Sequence, residues 1–201
     1  MIPIRFAGQL SCGVVLIAAA LAGCTVDHVG AAVPQSAVPS KTSANSAPGP
    51  GRPREVKINS VRPCELFTEE NRREFKIDRP FAEEKDIFFG SQVCDFLGRA
   101  EKVTISVNML LDRDMDAFAP GKTPAHTRSI RVQGFSAYEA YVDGRPGNLA
   151  CGVNVGVAQG QVLRVQATEQ GRYENPLTQE EVCRRATRGA ELALGNLLAR
   201  G

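Results

Sequence analysis

Residues 151–167, CGVNVGVAQGQVLRVQA, decide the fold. Cys151, Val153, Val155 and Val157 alternate with Gly152, Asn154, Gly156 and Ala158. That period of two is the mark of a strand with one buried face. Gln159-Gly160 reads as a turn, and Leu163, Val165 and Ala167 continue the alternation as the return strand. Cys151 shares its parity with the three valines, so its sulfur points into the core. Its partner is expected from whatever covers that face.

The cover is expected just downstream. Thr178 and Glu181 form a capping box, with Leu177 stapling onto Val182 across it. Val182, Ala186, Ala190, Ala193, Leu194 and Leu197 then recur at helical spacing. Cys183 falls in the first turn, at the edge of that stripe. Arg184, Arg185 and Arg188 take the other faces.

Further strands are predicted upstream. Tyr138, Ala140 and Val142 suggest one, ended by the turn signal Asp143-Gly144. Val103, Ile105, Val107 and Met109 alternate with Thr104, Ser106 and Asn108, and Val93–Leu97 is a short strand carrying Cys94. Thr68 caps a short helix running to about Lys76, with Glu69 and Glu70 at its positive end and Asp78-Arg79-Pro80 stopping it. The expected fold is a single small α+β domain. Its antiparallel sheet has about five strands, with the C-terminal helix and the short N-terminal helix packed on one face.

The first 50 residues read differently. Arg5 is the only charge before an apolar run from Gly13 to Ala22. About ten residues is half of the roughly 20 needed to span hydrocarbon, and it matches the core of an export signal. The run closes on Leu21-Ala22-Gly23-Cys24, which resembles a bacterial lipobox. That resemblance implies cleavage before Cys24, a lipid thioether on its sulfur and acylation of the new N-terminus. Each buried CH₂ contributes about 0.8 kcal/mol, so two or more chains hold stably to a membrane. Thr25 to about Arg54 is rich in Ala, Ser, Pro and Gly, with no apolar periodicity, and is expected to be a tether. Thirty such residues reach roughly 30 Å as a coil. The expected organisation is thus 1–23 signal, 24–54 lipidated cysteine and tether, and 55–201 folded domain.

Of six cysteines, the leader removes Cys12 and the anchor uses Cys24. Cys64, Cys94, Cys151 and Cys183 remain, an even number in an exported chain, which implies two disulfides. Three pairings are possible. Cys64–Cys94 with Cys151–Cys183 is the expected one, because each bond then staples a helix to a neighbouring strand. A zinc site is not expected: no two cysteines have C-x-x-C spacing and His126 is the only histidine of the folded part.

These features together resemble a known family. The lipobox, the Ser/Pro-rich tether, Arg62-Pro63-Cys64-Glu65-Leu66-Phe67-Thr68, Cys94 before an alternating strand, the Cys151 strand and a late helix opening on Val182-Cys183 are similar to the actinobacterial DUF3558 lipoproteins. The resemblance covers about residues 55–200. Many members carry an aromatic, often Trp, just after the second cysteine; here Asp95-Phe96 follows Cys94. The resemblance implies a cell-envelope lipoprotein and lends no catalytic residue.

Chemistry is sparse. With 24 Lys+Arg against 22 Asp+Glu, the near-neutral balance argues against nucleic acid, which needs a concentrated basic surface. His28 lies in the tether and His126 in a Pro-Ala-His-Thr loop, so no nucleophile has an obvious base. Gly134-Phe135-Ser136-Ala137-Tyr138 is one glycine short of a nucleophile elbow. Asp112, Asp114 and Asp116 have calcium-like spacing, but Ala117 and Thr123 stand where such a loop needs Gly and Glu. They are expected in a long polar loop from Asp112 to Ser129, and Glu83–Asp86 in a solvated turn. Small residues at 152, 156 and 158 suggest a shallow groove or close packing.

No catalytic residue, cofactor or metal is expected. The expected role is a non-catalytic binding or interaction module, lipid-anchored on the extracytoplasmic face of a cell membrane, with an envelope protein or lipid as partner. The alternative is a carrier or sensor for an apolar envelope ligand. An open cavity at Val155 and Leu163 would favour the carrier; a filled core with an exposed apolar loop would favour the module.

Overall fold

A computed structural model describes residues 51–201 except Pro80. The signal, Cys24 and most of the expected tether lie outside the described residues. Seven antiparallel strands form one sheet in the order β1-β2-β3-β7-β6-β5-β4. They are β1 Ala82–Lys85, β2 Gln92–Gly98, β3 Val103–Leu110, β4 His126–Val132, β5 Phe135–Tyr141, β6 Ala150–Ala158 and β7 Gln161–Glu169. Two short helices precede β1: a 3₁₀ turn at Pro63–Leu66 and α1, Glu69–Glu74. A second 3₁₀ turn, Met115–Phe118, follows β3, and α2 is Gln179–Leu198.

The register sorts the sheet into two faces. Cys94, Val107, Val165 and Val153 stand in one cross-strand row, and Phe96, Ile105, Ala167 and Cys151 in the next. All are buried and pack against α2 in one apolar core. The helix lies close because its inner stripe is small: Ala186, Gly189, Ala190 and Ala193 are all buried. A Cβ at Gly189 would come within 3.0 Å of Val165 Cγ1. Thr178 and Glu181 close the capping box at its start.

Two disulfides pin this layer. Cys151 of β6 is bonded to Cys183 in the first turn of α2, and Cys64 of the early 3₁₀ turn to Cys94 of β2. Buried Glu169, at the end of β7, accepts the backbone N–H of Leu177 at 2.7 Å and so ties the approach to α2 onto the sheet.

Several expectations change. The sheet has seven strands, not five. β1 is built from Ala82–Lys85, all four exposed, where the charge run suggested only a turn. β4 occupies the end of the expected long loop; Gln133 and Gly134, both at positive φ, make the tight β4–β5 turn. β5 is inverted relative to the expected parity. Phe135, Ala137 and Glu139 are its buried set, while Tyr138 and Ala140 face the other way. Buried Glu139 is tolerated because Arg128 holds it at 2.6 and 3.1 Å and Thr187 of α2 donates at 3.2 Å. The early helix sits at the side of α2, to which Asn71 and Glu74 are hydrogen-bonded through Asn196 and Arg188. It is six residues long and buries only Asn71; Phe67 and Phe75 at its flanks reach the core, with Phe67 5.0 Å from the Phe96 ring. Residues 51–54 already touch the domain, as Gly51 O accepts from Ser136 N and Arg54 donates to Leu198 O.

Each disulfide closes about 30 residues, a constraint on the unfolded chain of about 3–4 kcal/mol. The double variant Cys151→Ser/Cys183→Ser is expected to lose that much in denaturant unfolding and to lower amide-exchange protection first along α2. An unchanged midpoint would mean the bond braces nothing.

Glu101 receives Lys76 Nζ at 2.8 Å and Arg185 Nη2 at 3.2 Å, with Arg172 at 3.6 Å. The Lys76 hydrogen bond chiefly, then Arg185, holds its carboxyl below the usual range. A depressed folded value stabilises above the unfolded value, about 4.3, and that contribution is lost as pH falls through the folded value. Melting between pH 5 and 2 is expected to show a shallower acid-side decline for Glu101→Gln than for the parent.

Candidate functional site

The face of the sheet away from α2 carries the chemistry. One cross-strand row runs Val93, Asn108, Arg164, Asn154, Tyr138, Ser129; the next runs Asp95, Ser106, Gln166, Gly152, Ala140, Thr127. In the wide alternation of β7, Arg164, Gln166 and Thr168 are simply the positions that point away from the core. Their side chains link into a ladder. Arg164 donates to Asn154 Oδ1 at 2.9 Å and to Gln166 Oε1 at 2.5 Å, and Gln166 donates to Thr168.

The small residues on β6 make room for this. At Gly152 a Cβ would sit 2.6 Å from Arg164 Nη1, so the guanidinium lies flat across the strand only because the side chain is missing. At Gly156 a Cβ would sit 2.5 Å from Met115 Cγ. The stripe is therefore occupied by side chains from elsewhere in the domain, Arg164 and Met115.

Two hollows flank the 3₁₀ turn that carries Met115. The larger, about 650 Å³, is lined by Asp114, Met115, Arg131, Ser136, Tyr138 and Gly156 among others. The smaller, about 380 Å³, lies over β5, β6 and β7. Phe89, Phe118, Tyr141 and Val142 give it apolar walls; Arg113, Arg164, Asn154 and Gln166 give it polar ones. Two guanidiniums lie against the Phe89 ring: Arg113 Cζ is 5.3 Å and Arg164 Cζ 5.2 Å from its centre.

Arg164 is electrostatically unusual. Burial pushes it down to about 10, with Asp86 the one opposing charge. Among the described residues no carboxylate forms an ion pair with it. Part of the residue is exposed, yet its Nε is sealed from solvent and has no acceptor. Asn154, 0% exposed, likewise has an unpartnered Nδ2. Each such unmet donor costs about 1–3 kcal/mol.

Of the residues singled out by sequence, Asp114, Asp116, Ser136 and Gly156 line the larger hollow and Gly152 the smaller. Asp114 accepts from Gly160 N at 2.6 Å, anchoring the loop to the β6–β7 turn, and Asp112 lies 3.7 Å from Arg113. His126 starts β4, exposed, 3.1 Å from exposed Asp143 and stacked on Tyr141; the pair stands on the surface and lines neither hollow. Glu139 lies near both sulfurs of Cys151 and Cys183. A disulfide offers no thiolate to a metal, and Arg128 already occupies that carboxylate. Val155 and Leu163 are fully buried within the core, not beside an opening. Arg164 and Asn154 were hidden in the sequence because a strand's outward polar residues look alike until the loop above them is placed.

The polar face also displays an apolar tip. Between β1 and β2, Asp86 Oδ1 accepts from Phe88 N and Phe89 N, both at 2.8 Å, and Gly90 N donates to Asp86 O. The loop so held turns Phe89 inward and leaves Ile87 88% and Phe88 83% exposed.

Residues 19–196 match the model of a family described as a protein of unknown function, DUF3558. The chain belongs to that family. No curated protein and no solved structure matches it.

The seat of Met115 is testable. Gly156→Val is expected to displace the Met115–Phe118 turn and cost about 1–3 kcal/mol of stability. Exchange protection should fall at residues 115–118 while α2 keeps its own.

Proposed function

We propose that this DUF3558 chain is an exported lipoprotein, held by lipid on Cys24 at the extracytoplasmic face of a cell membrane. Its domain works there as a non-catalytic interaction module of the cell envelope. The lipobox Leu21-Ala22-Gly23-Cys24 supports the anchor. The two disulfides support an oxidising compartment, since cytosolic thiols are kept reduced.

The observation that carries the role is the pair Ile87 and Phe88. Two large apolar side chains stand in water on a loop braced by Asp86, so little ordering entropy opposes their burial on contact. Aromatic anchors of this kind dominate the energy of protein interfaces. The partner we assign is an envelope protein. Exposed Glu83 and Glu84 on β1 outnumber Lys85 beside the tip, which opposes approach to anionic headgroups.

A photo-crosslinking side chain at position 88, activated in native membranes, is expected to capture one protein. Ile87→Ser/Phe88→Ser should lose that partner while unfolding within about 0.5 kcal/mol of the parent, as surface changes do. Lipid adducts alone, or an unaffected complex, would refute the reading. Cys24→Ala should release the chain from the membrane fraction.

A further inference from the structure

We propose that the hollow roofed by Phe89 is a binding site for a small organic anion, a carboxylate carried on an apolar body. This goes beyond the interaction-module reading and does not rest on it.

The lining decides the charge of the ligand. Two guanidiniums, Arg113 and Arg164, face the hollow, and no Asp or Glu lines it. Outside the lining, exposed Asp112 pairs with Arg113 at 3.7 Å, and Asp86, its Oδ1 held by the backbone of Phe88 and Phe89, is the one carboxylate whose charge acts on Arg164. Arg164 meets only neutral acceptors, Asn154 Oδ1 and Gln166 Oε1. The unpartnered buried polar atoms of the lining are donors, Arg113 Nε, Arg164 Nε and Asn154 Nδ2, the last on a fully buried residue. The one unpartnered acceptor nearby, Asn108 Oδ1 opposite Arg164 on β3, lies outside the lining. A cluster with surplus positive charge and surplus N–H is complementary to a carboxylate, which offers two acceptor oxygens and one negative charge.

The rest of the lining decides the body. Phe89, Phe118, Tyr141, Val142, Ala117 and Ala125 are apolar or aromatic surfaces. The volume, about 380 Å³, falls at the low end of the roughly 300–1,000 Å³ of small-molecule sites. Gly152 belongs to the site without touching a ligand. Its missing side chain is what lets the guanidinium lie across β6.

The test uses the full chain purified in detergent, titrated with 2-naphthoate and with its uncharged match, 2-naphthamide, by calorimetry and by the Nε–H signals of arginine. Saturable binding of one naphthoate per chain is expected, with a shift of the Arg164 Nε–H resonance. The amide should bind at least about tenfold more weakly, the cost of leaving charged donors unmet. Arg164→Met should weaken naphthoate by a similar factor in a variant that still unfolds in one cooperative transition. If that variant does not fold, Gly152→Ala serves instead, because the added Cβ evicts the guanidinium, and it should also lose the preference for acid over amide. Equal binding of acid and amide, or naphthoate binding indifferent to both substitutions, would overturn the proposal. So would the absence of saturation up to about 10 mM, weaker than a specific small-molecule site of this size.

Discussion

The contact between the small-residue stripe of α2 and the valine rows of β6 and β7 is the constraint on which everything else in this domain depends. A seven-stranded sheet with one long helix has a single large apolar surface to hide, and Gly189 and its neighbouring alanines bring the helix near enough to exclude water from it. The Cys151–Cys183 bond holds the helix start to the strand it covers, and Glu169 fixes the chain leading into it. Because the core is satisfied on that side, the opposite face is released from the need to be uniformly apolar.

That second face is where the chain departs from ordinary economy. A strand position filled by Arg164 under a phenylalanine, with donors left unpaired and no carboxylate in direct contact, works against stability. Features of this kind are characteristic of places kept for a ligand. The same loop that roofs Arg164 with Phe89 presents Ile87 and Phe88 to solvent. One hairpin tip thus serves as a lid on one side and an apolar surface on the other, held in shape by the carboxylate of Asp86.

Much of the architecture is legible in the chain itself. The β6–β7 hairpin, the alternating β3 and the capped α2 carry strong local signals, because each has one clean apolar face against polar solvent. The weak spots have equally plain causes. β1 is an edge strand with all four residues exposed, so it has no buried face to imprint a period on its sequence. β4, the other edge, turns Ile130 and Val132 to the core, but Arg128 shares their parity and masks the alternation. β5 misled by parity: its buried set includes Glu139, a charge made compatible with the interior only by Arg128 and Thr187, whereas Tyr138 and Ala140 look apolar and face outward. In the one acidic cluster with calcium-like spacing, Asp114 anchors the loop to the β6–β7 turn and Asp112 lies beside Arg113.

Local periodicity, capping and cysteine parity are written in neighbouring residues, so fold class, the covering helix and the inward aim of Cys151 can be read directly from the chain. Which residues meet across the far face cannot. Arg164, Phe89 and Arg113 are separated by up to 75 positions, counted from 89 to 164, and none stands out among its neighbours. Their meeting around one hollow, the desolvation of Arg164 and the room left by Gly152 exist only after strand register and loop placement have brought them together, since desolvation and electrostatics depend on distance in space and not along the backbone.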